Sequence, residues 1–445
     1  MKRILYILFG GLLVLLPACN KNKSTNQANQ SLAQLTAFYF AKNDTMPGLA
    51  KAVFTIEERI DTGLVWNKDS MLYGTNLHRV VPRFTFASTP DVAYLTMHDT
   101  IHVLSGYDTL DFTKTPIYLT IRSADKKNTK VYEIRATVHS EDPDLYTWEQ
   151  LNSSIYGSDD SEQRVVEKGS DFLMLTSNGI TMRTYSSADG ATWSSLGTMS
   201  GLPAGTKVRQ IVSDGNKLYY GQDSIVYTST DAVNWTGTKV DHRIEAMLMH
   251  WNGLVWALVT VGGKEYELAH TDGTSLTLSG LKPGSNFPVS DFATVCFLSS
   301  SLRERAMIIG GFAENGQALD TRWNIEYSNH ITKDNGYRLQ EFKGGRSSFN
   351  GMTGISVIYY NHQLLLFGGV DENSAYFGRD IMISVDEGLN WTKADTAKNQ
   401  LPSVYQARQK QNAIVRNNNI YLFGGQDAQT TYSDVYKGRL NSIDW

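Results

Sequence analysis

Tyr132, Ile134, Ala136 and Val138 alternate with Glu133, Arg135 and Thr137, the period of two that a strand with one buried face requires. Similar short runs stand at Leu35 to Ala41, Ala52 to Ile56, Arg83 to Ala87 and Ile117 to Ile121. They predict seven or so strands over residues 32–141, the writing of a two-layered β-sandwich. Past the first twenty residues no long stretch carries helical periodicity, so the chain reads as all-β. Ser140-Glu141-Asp142-Pro143-Asp144 is a polar break with a proline, and a domain boundary is placed there.

Beyond the break the pattern repeats. Ser187-Ala188-Asp189-Gly190-Ala191-Thr192-Trp193 matches Ser229-Thr230-Asp231-Ala232-Val233-Asn234-Trp235 at a spacing of 42, and His270 to Leu276 repeats the frame in decayed form. Ser384 to Trp391 is the fullest copy. Apolar strands ending in Gly-Gly occur at Met307 to Gly311, Leu365 to Gly369 and Tyr421 to Gly425, at spacings of 58 and 56. A strand ending in Gly-Gly followed by a Ser-x-Asp-x-Gly-x-x-Trp turn is how small four-stranded sheets in a radial array are written. Counting the outer strands gives six blades over 145–445. The chain ends in a truncated turn, whereas Trp148 begins a strand with no blade before it. The early strand is therefore expected to complete the last blade and close the ring.

Composition changes the picture mainly at the N-terminus. Lys2 and Arg3, the apolar run Ile4 to Leu16 and Leu16-Pro17-Ala18-Cys19 form a cleavable leader over residues 1–19. The tetrad resembles the bacterial lipobox, which implies lipidation at Cys19 and attachment to a membrane through an N-terminal anchor. Residues 20–31 are polar and read as a flexible tether. Removing Lys2 and Arg3 takes the formal net charge from −4 to −6, and without a basic stripe no nucleic-acid partner is expected. Cys296, the other cysteine, lies in the apolar run Phe292 to Leu298 and reads as a small core residue. No HxH or HExxH cluster and no phosphate-cradling glycine motif is present, so neither metal nor cofactor is expected.

Candidate chemistry falls in two places. Arg164, Arg209, Arg243 and Arg408 each precede an apolar inner-strand run, and Pro203/Arg209 and Pro402/Arg408 share an offset of six. Guanidinium groups converging on one channel mouth make a fork-shaped receptor for carboxylate or sulfate. Arginines so placed can equally tie neighbouring blades through backbone carbonyls. The loops after the Gly-Gly pairs carry Glu314, then Asp371 and Glu372 with Tyr376. Carboxylates beside aromatic rings suit a sugar, the carboxylates for hydroxyls and the rings for apolar pyranose faces; solvated loop polarity is the plainer alternative.

The segment PIYLTIRSADKKNTKVYEIRATV looks like the closing hairpin of bacterial immunoglobulin-like modules. Lipobox, immunoglobulin-like β-sandwich and six-bladed kelch-like propeller with Asp-box turns together resemble uncharacterised lipoproteins of gut Bacteroidetes. That resemblance implies an outer-membrane lipoprotein facing the periplasm or the cell surface, and assigns no reaction. Sialidases share the Asp-box but need an Arg-Ile-Pro stretch, which is absent. Galactose oxidase resembles the kelch part, yet nothing around Cys296 suggests its crosslinked copper site. Sialic-acid mutarotases offer an analogy of fold, a charged channel mouth. The expected function is non-catalytic recognition of a glycan or an envelope protein. The alternatives are a carbohydrate-active enzyme for an acidic sugar, epimerase-like or glycosidase, and an envelope assembly factor.

Overall fold

The computed structural model describes residues 30–444, apart from 47, 107, 157–159, 264, 332, 333, 343–350 and 397. The leader and Cys19 therefore lie outside the described residues. The chain divides into two units, Met1–Asp142 and Pro143–Trp445.

In the first unit alternation works as the sequence dictates. Strand Thr129–Arg135 buries Tyr132 and Ile134 at its core face. It lies in a six-stranded sheet between Ile117–Arg122 and Thr62–Asn67, running parallel to the latter. Leu35–Phe40 pairs with Pro82–Phe86 in a separate two-stranded sheet. Among the described residues eight strands are thus divided six and two. Aromatic rings fill the core: Phe38 stands edge-on to Phe54 at 4.6 Å and to Phe40 at 5.3 Å. The buried Tyr132 hydroxyl donates to Glu58 Oε1 at 2.6 Å and accepts from the Leu35 backbone N–H at 3.1 Å, so the phenol is satisfied on both counts.

Among its described residues the second unit forms five sheets, four of them four-stranded and one six-stranded. All but one of its cores lie between successive sheets. Leu248 and Leu258 pack on Ile308 and Ile325, Met307 and Ile309 on Val357 and Leu366, and Leu365 and Phe367 on Ile420 and Leu422. The series closes on itself, because Phe172 and Met174 of the first sheet pack against Tyr421 and Phe423 of the last. Strand Tyr146–Asn152 pairs antiparallel with Thr431–Leu440, so the first strand of the unit completes its last sheet. In the six-stranded sheet the long strand Thr236–Trp251 pairs with Leu218–Ser229 at its beginning and with Leu254–Val261 from Arg243 onward. A core of its own lies there, with Tyr219 and Val226 against Met247 and Val259.

The Ser-x-Asp turns hold the sheets' outer corners. Asp189 Oδ1 accepts the N–H groups of Ala191 and Thr192 at 2.8 and 2.9 Å. Asp231 does the same for Val233 and Asn234, and Asp272 for Thr274 and Ser275. These bonds favour the charged carboxylate: the backbone bond from Thr192 leads in lowering Asp189, and that from Thr274 in holding Asp272 at about 2. Gly190 takes φ 79, a conformation costly for a side chain, and Ala232 occupies the same place in the next copy at φ 66. The tryptophans close the layers, with Trp193 edge-on to Phe423 at 6.0 Å, across the join of the first and last sheets.

Candidate functional site

The four arginines meet different surroundings. Arg408 is buried to 1% exposure. Its Nη2 donates to Asp434 Oδ2 at 3.1 Å while Nη1 donates to Asp434 Oδ1 and to the Gly424 carbonyl, and Nε donates to the Gln406 carbonyl. Tyr405 and Tyr432 flank the guanidinium, with ring centroids at 4.2 and 3.8 Å. Every face of the group is engaged, and by partners from the last sheet and the segment leading into it, so Arg408 is a structural tie within one sheet rather than between neighbours, and its expected place in a ligand receptor is corrected.

Arg209 is also tied. Its Nη1 donates to the Lys410 carbonyl at 2.6 Å, and its Nε lies 3.4 Å from Asp291 Oδ1, a charge contact outside hydrogen-bond alignment. Lys410 Nζ reaches the other Asp291 oxygen at 3.3 Å. Glu162 faces the same cluster; burial pushes its carboxyl up, against the charge of Arg209. Arg164 stands close enough to Arg209 to feel its charge, so these two candidates do come together.

Arg243 and Glu314 meet elsewhere. Both line a cleft of about 720 Å³ formed by the segment from Asp241 to Glu245, the hairpin around Gly262 and the loops carrying Lys282 and Glu314. Arg243 is 65% exposed and pairs with the mostly buried Glu245 at 3.2 Å; Thr260 Oγ1 donates to Glu245 at 2.6 Å. The Tyr266 hydroxyl donates to Glu314 Oε2 at 2.8 Å; burial first, and then that bond, push the phenol up. A second hollow of about 330 Å³ shares Arg243, Glu245 and Glu314 and extends to Lys207 and Gln210. Asp241, Glu245, Glu265 and Glu314 outnumber Arg243 and Lys282 on the larger cleft's lining, so the cleft is acidic.

Asp371, Glu372 and Tyr376 stay apart from this cleft. Asp371 Oδ1 accepts the N–H groups of Asn373 and Ala375, both at 2.9 Å, as turn chemistry. Glu372 is exposed, and Tyr376 forms an isolated bridge to Val370. Cys296 is also corrected. In strand Ala293–Leu298 the side chains of Val295 and Phe297 are buried, whereas Cys296 is exposed. It lines the central cavity rather than the core, and enclosure by the surrounding strands pushes its thiol up to about 12, which makes it a poor nucleophile.

Glu245, Tyr266, Asp291 and Lys410 were not among the sequence candidates. Glu245 had a usable signal, since two residues on from Arg243 it shares that side chain's face of the strand. Tyr266 and Asp291 had none, because their partners are distant in sequence. Among the described residues no group of three or more His, Cys, Asp or Glu is placed to hold a metal ion.

Sheets packed in a closed series, with a ligand-sized cleft among their loops, define a β-propeller, a scaffold for binding. The chain belongs to the DUF6242 family: the DUF6242 beta propeller domain matches residues 142–445, and the domain of unknown function (DUF6242) N-terminal domain matches residues 20–136. No curated protein matches the chain. Among solved structures it is similar to one titled "Structure of YjhT", at 15% identity and a TM-score of 0.47, over 64% of this chain and 96% of that one.

Proposed function

We propose that this is a lipid-anchored cell-envelope protein whose propeller recognises a neutral glycan, without catalysis, in the cleft of Arg243, Tyr266 and Glu314. The observation that carries the reading is the cleft itself. Its volume of about 720 Å³ is within the usual range for ligand sites. Its carboxylates accept from hydroxyl groups, and Tyr266 offers a ring for an apolar sugar face. The excess of carboxylates on the lining disfavours an acidic sugar there, which weakens the carbohydrate-active-enzyme alternative as first framed. In this reading the propeller has six blades, the six-stranded sheet being two blades joined by Thr236–Trp251, with an Asp-box or kelch-like strand and turn in most of them. The N-terminal unit is an immunoglobulin-like spacer.

The test is a glycan-array screen of the whole soluble chain followed by calorimetry on the hits. Neutral oligosaccharides should bind, and Glu314→Ala or Arg243→Ala should weaken them at least about tenfold, the loss of one or two good hydrogen bonds. Binding confined to acidic sugars, or hits indifferent to both substitutions, would move the ligand out of this cleft. The anchor is tested separately. Cys19→Ser should shift the protein from the membrane fraction to the soluble one, since the diacylglyceryl group would no longer be attached; unchanged membrane partitioning would remove the lipid anchor from the proposal.

A further inference from the structure

The central cavity of the propeller has a volume of about 400 Å³ and takes its lining from the inner strands of several sheets, Arg164, Ser213, His250, Thr294, Cys296 and Ile414 among them. Arg164 is the anomaly in it. Its Nε is buried and has no hydrogen-bond partner, and among the described residues no carbonyl or carboxylate accepts from the rest of its guanidinium. Arg209 and Arg322 also bury an unpartnered Nε, but three interior arginines have a partner elsewhere on the group: Arg408 is held by Asp434, Arg209 by the Lys410 carbonyl and Asp291, and Arg416 Nε by Glu167 Oε1 at 2.7 Å.

The side chain as a whole is half-buried, but a cation whose desolvated Nε has no partner is costly, and a guanidinium does not readily escape the cost by losing its proton. The neighbouring Arg209 adds repulsion. Burial, and after it the charge of Arg209, lower Arg164 to about 10, the direction expected of a cation without its counter-charge. The carboxylates on the cavity wall are already committed. Glu167 pairs with Arg416, and Asp214 accepts from the N–H groups of Asn216 and Lys217 and from the Tyr219 hydroxyl.

We infer that the central cavity is a binding site for a compact oxyanion, a carboxylate or sulfate group on a small molecule, received by the Arg164 guanidinium. The site is separate from the glycan cleft and does not depend on it. A planar carboxylate would accept two parallel N–H bonds from the fork, and a tetrahedral oxyanion would accept the same pair.

Thermal unfolding of the whole soluble chain in sodium acetate, sulfate or phosphate, against sodium chloride at matched ionic strength, tests this. The wild type should gain about 2 °C at tenfold excess over Kd in at least one of the three, and acetate against sulfate separates the planar from the tetrahedral ligand. Arg164→Met should melt higher than wild type in chloride and lose the oxyanion response, whereas Arg243→Ala should keep it. A wild type that responds to no oxyanion beyond chloride overturns the inference, whatever the variants do. So does a response of equal size in Arg164→Met.

Discussion

Arg408→Ala lowers the stability of the propeller by about 3 to 5 kcal/mol, the usual cost of removing one partner from a buried ion pair. The cause is the group left behind. Asp434 would keep a mostly buried carboxylate with neither fork nor counter-charge, and the Gly424 carbonyl would lose its donor. Tyr405, whose buried hydroxyl has no hydrogen-bond partner, would also lose the cation packed against its ring at 4.2 Å. Differential scanning calorimetry of the whole chain should show the C-terminal transition shifted down by about 5 to 8 °C. Arg408→Met with Asp434→Leu should recover much of the loss, because replacing both charges by apolar groups of similar volume removes the stranded one. An Arg408→Ala protein that melts as wild type but loses a ligand would return this arginine to the binding site.

That contrast marks how far the sequence could be read. The Asp turns, the Gly-Gly strand ends and the completion of the last sheet by an early strand are local or periodic features, and backbone chemistry fixes them wherever the pattern occurs. Asp189, Asp231 and Asp272 accept the turn amides at the positions the repeat implied. Arg209 and Arg408 share an offset, each six residues after a proline, and that offset does not tell them apart. Asp434 lies on Thr431–Leu440 and meets Arg408 through packing within the last sheet, whereas Asp291 reaches Arg209 from the loop that leads into Ala293–Leu298. The cleft was half legible. Arg243 and Glu314 were candidates, but for different reasons and in different groups. Tyr266, which links to Glu314, comes from a hairpin with no motif. Cys296 misled because an apolar run reads as core on both faces, while an inner strand of a propeller turns alternate residues toward the cavity.

Removing residues 143–152 should abolish cooperative folding of the propeller. The strand Tyr146–Asn152 supplies the backbone partners of Val435 to Leu440, and without it a long edge lies open to other chains. Side chains add to the loss. Tyr146 is buried in the core shared with Phe367 and Leu422, accepts from Gln363 at 3.2 Å and stacks with Trp148 at 6.5 Å. Trp148 stands edge-on to Phe367 at 6.1 Å and lies over Gly438, where an added Cβ would come within 2.3 Å of its ring. Trp148→Ala, which keeps the backbone pairing, should therefore cost about 3 kcal/mol and still give a folded protein. Gly438→Val should destabilise by overpacking the same contact. The deletion differs in kind, because it opens the ring rather than loosening it. Its product should aggregate and show no sharp transition by circular dichroism, and a peptide of residues 143–152 added in excess should restore part of the folded signal by pairing with the vacant edge. A truncated protein that melts sharply near the wild-type temperature would show that the ring holds without its latch, and that packing between successive sheets supplies the cooperativity alone.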